Sequence, residues 1–193
     1  ITDPRYRADS LTAEAKAHFF HTGDYHAKYV IDLCRRRLDP NFAPRRALDF
    51  GCGVGRVLVP LAGLVERVVG VDISPAMLDE ARRNCDEQGC ANVELIVSDD
   101  TLSALTQRFD LVHSCIVLQH IDIERGRLLF RRLVELVDDG GCGALQVTYG
   151  KARLPETFGQ PAAPAVPAAA PLQMQARAGW RDWMTRARRA VAD

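Results

Sequence analysis

Between Ala47 and Tyr149, short apolar runs alternate with amphipathic stretches, a pattern that predicts a parallel sheet covered by helices on both faces. The runs are Ala47 to Phe50, Arg67 to Val71, Val93 to Val97, Phe109 to Ser114 and Gly143 to Thr148, each the length of one strand. Helical spacing of apolar positions predicts helices over Gly55 to Val65, Pro75 to Gln88 and Ile123 to Val137. The second is the best bounded. Ser74 can cap it, Pro75 suits the first helical position, and Gly89 falls just past its end. The expected fold class is therefore α/β, a doubly wound, Rossmann-like, mostly parallel sheet.

The flanks read differently. Helical spacing over Asp9 to Leu38, with Ser10 as a cap, predicts two helices separated at Thr22-Gly23-Asp24, and Pro40 and Pro44 mark a loop into the core. PAAPAVPAAAP, from Pro161 to Pro171, has too little side chain to pack and predicts an extended linker, with a further helix over Leu172 to Val191. The expected organisation is an N-terminal helical cap over 1–45, a core over 46–150, and a linker with a basic C-terminal helix over 151–193.

Composition narrows the class. Apolar residues are 47% and charged residues 26%, an ordinary globular mixture, so the chain should fold around a core. Lys plus Arg and Asp plus Glu both total 25, which removes the basic surplus that nucleic-acid binding favours, and no nucleic-acid partner is expected. Residues 151–193 hold seven basic and three acidic residues, so the tail either packs on an acidic body or contacts a partner or membrane surface. The longest apolar stretches, such as Val57 to Val65, fall far short of a membrane span, and no signal peptide is visible. The six cysteines show no zinc spacing; no metal is expected, and reduced thiols in a cytoplasmic protein are the plain reading.

The candidate chemistry lies at the strand ends. Strand one runs into Asp49-Phe50-Gly51-Cys52-Gly53-Val54-Gly55, where glycines let a ligand approach the backbone. Asp72 closes the second strand, placed to accept from both hydroxyls of an adenosine ribose. Asp99 closes the third and can accept from an adenine amino group, with Ile73 and Met77 offering apolar surface to the ring. A dinucleotide loop needs a small residue where this chain has Arg56, and Gly55 comes one place early, which disfavours a nicotinamide-dependent oxidoreductase.

Leu48 to Arg56 resembles motif I of the class I S-adenosylmethionine-dependent methyltransferases. Val69 to Leu78 is similar to their second motif, and Phe109 to Ser114 with Val117 to Ile121 to their fourth. Asp138-Asp139-Gly140-Gly141 stands where the family has a Pro-Gly-Gly turn, and Ser98 where it often has Gly. The resemblance implies S-adenosylmethionine as cofactor, with Asp49, Gly51 and Gly53 shaping its methionine end, Cys52, Gly55 and Arg56 among its further contacts, and Asp72 on the ribose. It places Asp99 or Asp100 on the adenine, leaving the choice open, and Ser114, Cys115 and Ile116 as the floor beneath the sulfonium. It also implies a lid over Phe20 to Tyr25, with Gly23 and Tyr25 near the methionine moiety. The family's usual antiparallel hairpin after strand five has no counterpart ahead of the proline-rich stretch.

Methyl transfer needs alignment and water exclusion, and a base only where the acceptor must lose a proton. His21, His26, His120 and Tyr149 are candidates, each more readily read as a packed, capping or exposed residue. The expected reaction is methylation of O or N on a small-molecule, sugar or glycan acceptor. The alternative is a non-catalytic binding or assembly module that keeps the fold.

Overall fold

The structure of the protein is a computed structural model that describes residues 12–147. Ser10, Thr148, Tyr149 and everything predicted for 151–193 lie outside the described residues.

Helix α1 spans Ala13–Arg37, capped by the Thr12 hydroxyl, which accepts from the Ala15 amide at 3.1 Å. It is one helix and not two. Thr22-Gly23-Asp24 does not break it, because Gly23 serves close packing: a Cβ there would lie 1.8 Å from the carbonyl oxygen of Arg56. Ala27, Val30, Ile31 and Cys34 continue the same buried face.

The remaining elements are β1 (Arg46–Phe50), α2 (Leu58–Ala62), β2 (Arg67–Asp72), α3 (Pro75–Glu87), β3 (Val93–Val97), β4 (Phe109–Ser114), α4 (Ile123–Glu135) and β5 (Val137–Leu145). Strand order is β3-β2-β1-β4-β5, and every pair is parallel. Crossing from β3 to β4 reverses the direction of winding, which opens a crevice at the carboxyl ends of β1 and β4. Among the described residues there is no antiparallel strand.

Two elements depart from the periodicity. The helix expected over Gly55 to Val65 is only Leu58–Ala62, because Gly51, Gly53 and Gly55 all have positive φ and hold the chain in turns. β5 begins at Val137 rather than Gly143, since Asp138 to Gly141 form a bulge within it: Phe109 pairs with Val137, but Leu111 pairs with Cys142. Gly141 is needed there, because a Cβ would lie 2.9 Å from the Asp110 carbonyl oxygen.

The sheet separates two apolar layers. Ala47, Val68 and Leu111 face α1, α2 and α3, while Leu48, Phe50, Val69 and Val112 face α4. Within the first layer, Cys34 of α1 and Cys142 of β5 bring their sulfurs to 2.7 Å. No helix among the described residues is long and apolar enough to cross a membrane.

Candidate active site at the strand tips

A shallow cleft opens at the strand tips, lined by Gly51, Asp72, Ile73, Asp99, Asp100 and Val117 among others. Its frame is a set of carboxylate clamps. Asp72 accepts the Gly53 amide hydrogen on one oxygen and the Ser74 amide hydrogen on the other, both at 2.9 Å, tying β2 to the glycine loop. Ser74 caps α3, with Pro75 at its first turn, and Gly89 takes φ +68° past its end. Gly51 donates to the Val71 carbonyl at 2.7 Å, and a Cβ on it would strike the Val117 side chain at 2.3 Å. A Cβ on Gly53 would meet nothing within 4 Å, so the loop presents bare backbone to open space. Together with the buried Ser114 hydroxyl oxygen, which has no hydrogen-bond partner in the structure, that open backbone fits a polar ligand lying across the strand tips.

The two carboxylates after β3 are engaged differently. Asp99 accepts from the Thr101 amide and hydroxyl at 2.9 and 3.0 Å and from the Ser103 amide and hydroxyl, and the Ser103 and Thr101 donors hold it well below the usual carboxylate range. Asp100 forms an ion pair with Arg125 of α4. Ile73 is 62% exposed and Met77 43%, apolar surface that no protein atom covers.

The turn after β4 is held by one side chain. Ser114 ends the strand, and the Gln146 side-chain oxygen accepts from the Cys115 thiol at 3.1 Å and from the Ile116 amide at 2.9 Å. Ile116 holds φ +63°, a conformation β-branched residues rarely adopt. Burial pushes the Cys115 and Cys52 thiols up, and the nearby Asp49 and Asp72 carboxylates add to the effect at Cys52, so both stay protonated. Among the described residues no cluster of His, Cys, Asp or Glu is placed to hold a metal ion.

Helix α1 lies on this frame through Gly23. The Arg56 guanidinium sits 6.0 Å above the Phe19 ring, and Phe20 packs edge-on against Phe19 with ring centroids 5.6 Å apart. Tyr25, roughly 200° round the helix from Gly23, is 70% exposed and stacks on Tyr29 instead of reaching the loop. His21 is exposed on α1, and His120 is exposed at the end of a short turn over Leu118–His120, its ring against Gln119 at 3.3 Å.

His26 is the histidine that the fold brings to the strand tips. Its Nε2 lies 3.0 Å from Nε2 of His113, whose Nδ1 lies 2.7 Å from the Asp49 carboxylate. Asp49 and His113 are both buried, and they are register partners on neighbouring strands with side chains on the α1 face. Burial, the His113 charge and Arg56 lower the His26 pKa to about 4. His113 was absent from the sequence candidates. Its one signal was a titratable residue directly after the apolar pair Leu111-Val112 inside a strand, the informative exception to burial rules.

Residues 47–141 match the family described as "Methyltransferase domain". The matched segment belongs to the class I S-adenosylmethionine-dependent methyltransferases. Aklanonic acid methyltransferase DauC of Streptomyces sp. (strain C5) is 37% identical over 100 residues, covering 50% of this chain and 44% of that protein. A malonyl-[acyl-carrier protein] O-methyltransferase of Legionella pneumophila is 34% identical over 154 residues, covering 75% and 51%. Among solved structures, magnesium protoporphyrin IX methyltransferase (ChlM) from Synechocystis PCC 6803 with bound S-adenosylhomocysteine (SAH) is 26% identical with a TM-score of 0.52, covering 69% of this chain and 59% of that one. Streptomyces venezuelae DesVI shares the fold at a TM-score of 0.60 and 21% identity, covering 79% and 61%. The chain spans about half the length of the curated relatives it matches.

Proposed function

We propose that the protein transfers the methyl group of S-adenosylmethionine to an oxygen or nitrogen of a small-molecule, sugar or glycan acceptor. The observation that carries this is the Asp72 clamp on Gly53, which holds a carboxylate and an uncovered glycine backbone side by side at neighbouring strand tips. Asp72 holds the ribose, Asp99 or Asp100 the adenine edge, and Ile73 and Met77 the ring faces. Asp49, Gly51, Cys52, Gly53, Gly55 and Arg56 surround the methionine end, with Ser114, Cys115 and Ile116 beneath the sulfonium. Phe20, Gly23 and Tyr25 belong to the lid helix, in which Gly23 makes the contact. When bound, the cofactor supplies an electrophilic methyl and a sulfur leaving group.

The protein's own part is alignment and exclusion of water, which supplies much of the rate in such a displacement. Support for a small acceptor comes from relatives whose names include aklanonic acid and ubiquinone biosynthesis. A cytoplasmic setting accords with six unpaired thiols.

Calorimetry with SAH tests the cofactor reading: micromolar binding is expected, with thermal stabilisation that NADH does not reproduce. Absence of heat from folded full-length protein refutes it. Transfer of label from methyl-labelled cofactor to a panel of hydroxyl and amine acceptors then tests turnover.

A further inference from the structure

Three groups at the strand tips form one continuous hydrogen-bonded line: the Asp49 carboxylate, the His113 ring and the His26 ring, with separations of 2.7 and 3.0 Å. With both rings neutral, hydrogen bookkeeping fixes the arrangement. The Asp49 carboxylate can only accept, so His113 carries its hydrogen on Nδ1 and offers a lone pair at Nε2. His26 must then donate from Nε2, which leaves Nδ1 as a lone pair with no partner among the described residues. A carboxylate that fixes a buried imidazole's tautomer and balances the positive charge it later acquires is the arrangement by which Asp–His pairs serve proton abstraction.

The line crosses the sheet end between the two segments assigned to the cofactor. Asp49 precedes the glycine loop by two residues, and His113 directly precedes Ser114. Gly23, one helical turn before His26, rests on Arg56.

We infer that His26 takes the proton of a hydroxyl acceptor and that Asp49 and His113 are positioning residues behind it, making the reaction an O-methylation. This rests on the methyltransferase reading. In the step, the acceptor oxygen forms a bond to the methyl carbon as the carbon–sulfur bond breaks with its electron pair going to sulfur. The acceptor proton passes to His26 Nδ1, and the hydrogen on His26 Nε2 moves to His113 Nε2. The result is a neutral His26 and a His113 imidazolium beside the Asp49 carboxylate, so the charge ends where a counter-ion is already buried.

The line holds one such proton. The groups facing His26 are His113 from β4, Asp49 from β1 and Arg56 from the glycine loop, and burial with the His113 and Arg56 charges keeps a second proton off His26 until about pH 4. A neutral amine acceptor needs no such device at the moment of attack.

The test is nitrogen NMR of isotope-labelled histidine in the full chain, titrated downward from slightly alkaline pH with and without SAH. The expected result is that His113 becomes the imidazolium while His26 stays neutral and exchanges its Nε2 hydrogen for one on Nδ1. A His26 imidazolium with neutral His113 overturns the relay. In His113→Asn, or in His113→Gln should the first not fold, His26 should lose this exchange and titrate alone; persistence of the exchange also overturns it. His26→Gln should bind SAH within about threefold of wild type while losing about 100-fold or more in transfer to a hydroxyl acceptor, and a tenfold loss of SAH affinity would instead make His26 a cofactor ligand and overturn the proposal. If wild type shows the histidine signature but no SAH binding, the methyltransferase reading fails and the relay does not.

Discussion

Asp72 accepts from the amide of Gly53, nineteen positions earlier in the chain, and so joins the tip of β2 to the loop after β1. The same two oxygens that hold the loop are the ones assigned to the ribose. Asp72→Ala is therefore expected to lose SAH affinity by about 100-fold, roughly 3 kcal/mol from two charge-assisted hydrogen bonds. Calorimetry checks it, and Asp72→Asn, which keeps one acceptor oxygen, should fall between the two.

Gly23 sets how closely α1 approaches the loop. Gly23→Val must push the helix off the Arg56 carbonyl, because even a methyl would sit at 1.8 Å. A loss of about 3 kcal/mol or more is expected, beyond the usual cost of overpacking since backbone and not a side chain is struck. Denaturant unfolding measures it. Tyr25→Ala, at an exposed position on the other side of the same helix, should change stability by less than about 1 kcal/mol.

The fold's histidine chemistry gives a signed pH dependence. His26 has its pKa lowered from 6.5 to about 4 in the native state, so between those values the unfolded chain binds more protons than the folded one. Its contribution to stability is complete above about pH 6.5 and is lost as pH falls towards 4. Melting curves across that window should fall more steeply for wild type than for His26→Gln. Equal slopes would show that His26 is solvated like an ordinary surface histidine.

Cys34 and Cys142 sit 2.7 Å apart at the junction of α1 and β5. The hydrogen bond to Cys142 lowers the Cys34 thiol, while its partner and burial raise Cys142, so Cys34 is the attacking group under oxidation. A thiol-specific azo oxidant should join these two before any others, with Cys52 and Cys85 lagging because burial pushes both up. Peptide mapping by mass spectrometry identifies the first bridge.

The sequence was readable where local chemistry decided the outcome. α3 has its cap, its proline and its terminal glycine in place, and all five strands occur where apolar runs stand. It misled where tertiary packing overrode local preference. A glycine flanked by Thr and Asp reads as a helix break, yet Gly23 is there because Arg56 lies against it. The start of β5 was hidden by Asp138 to Gly141, whose turn-like composition describes a bulge inside a strand. The site divides the same way. Asp49 and Asp72 were visible from motif spacing, but the contact of His26 with His113 joins residues 87 apart and depends on strand register, which periodicity does not encode.

Ile116 keeps a left-handed backbone at the exposed turn after β4, a choice that costs roughly 1–2 kcal/mol relative to a glycine. Glycine would relax the turn and also let it wander among many shapes. With isoleucine, and with Gln146 gripping the amide, the outline of that turn is settled in advance, so a molecule docking against it would surrender less disorder.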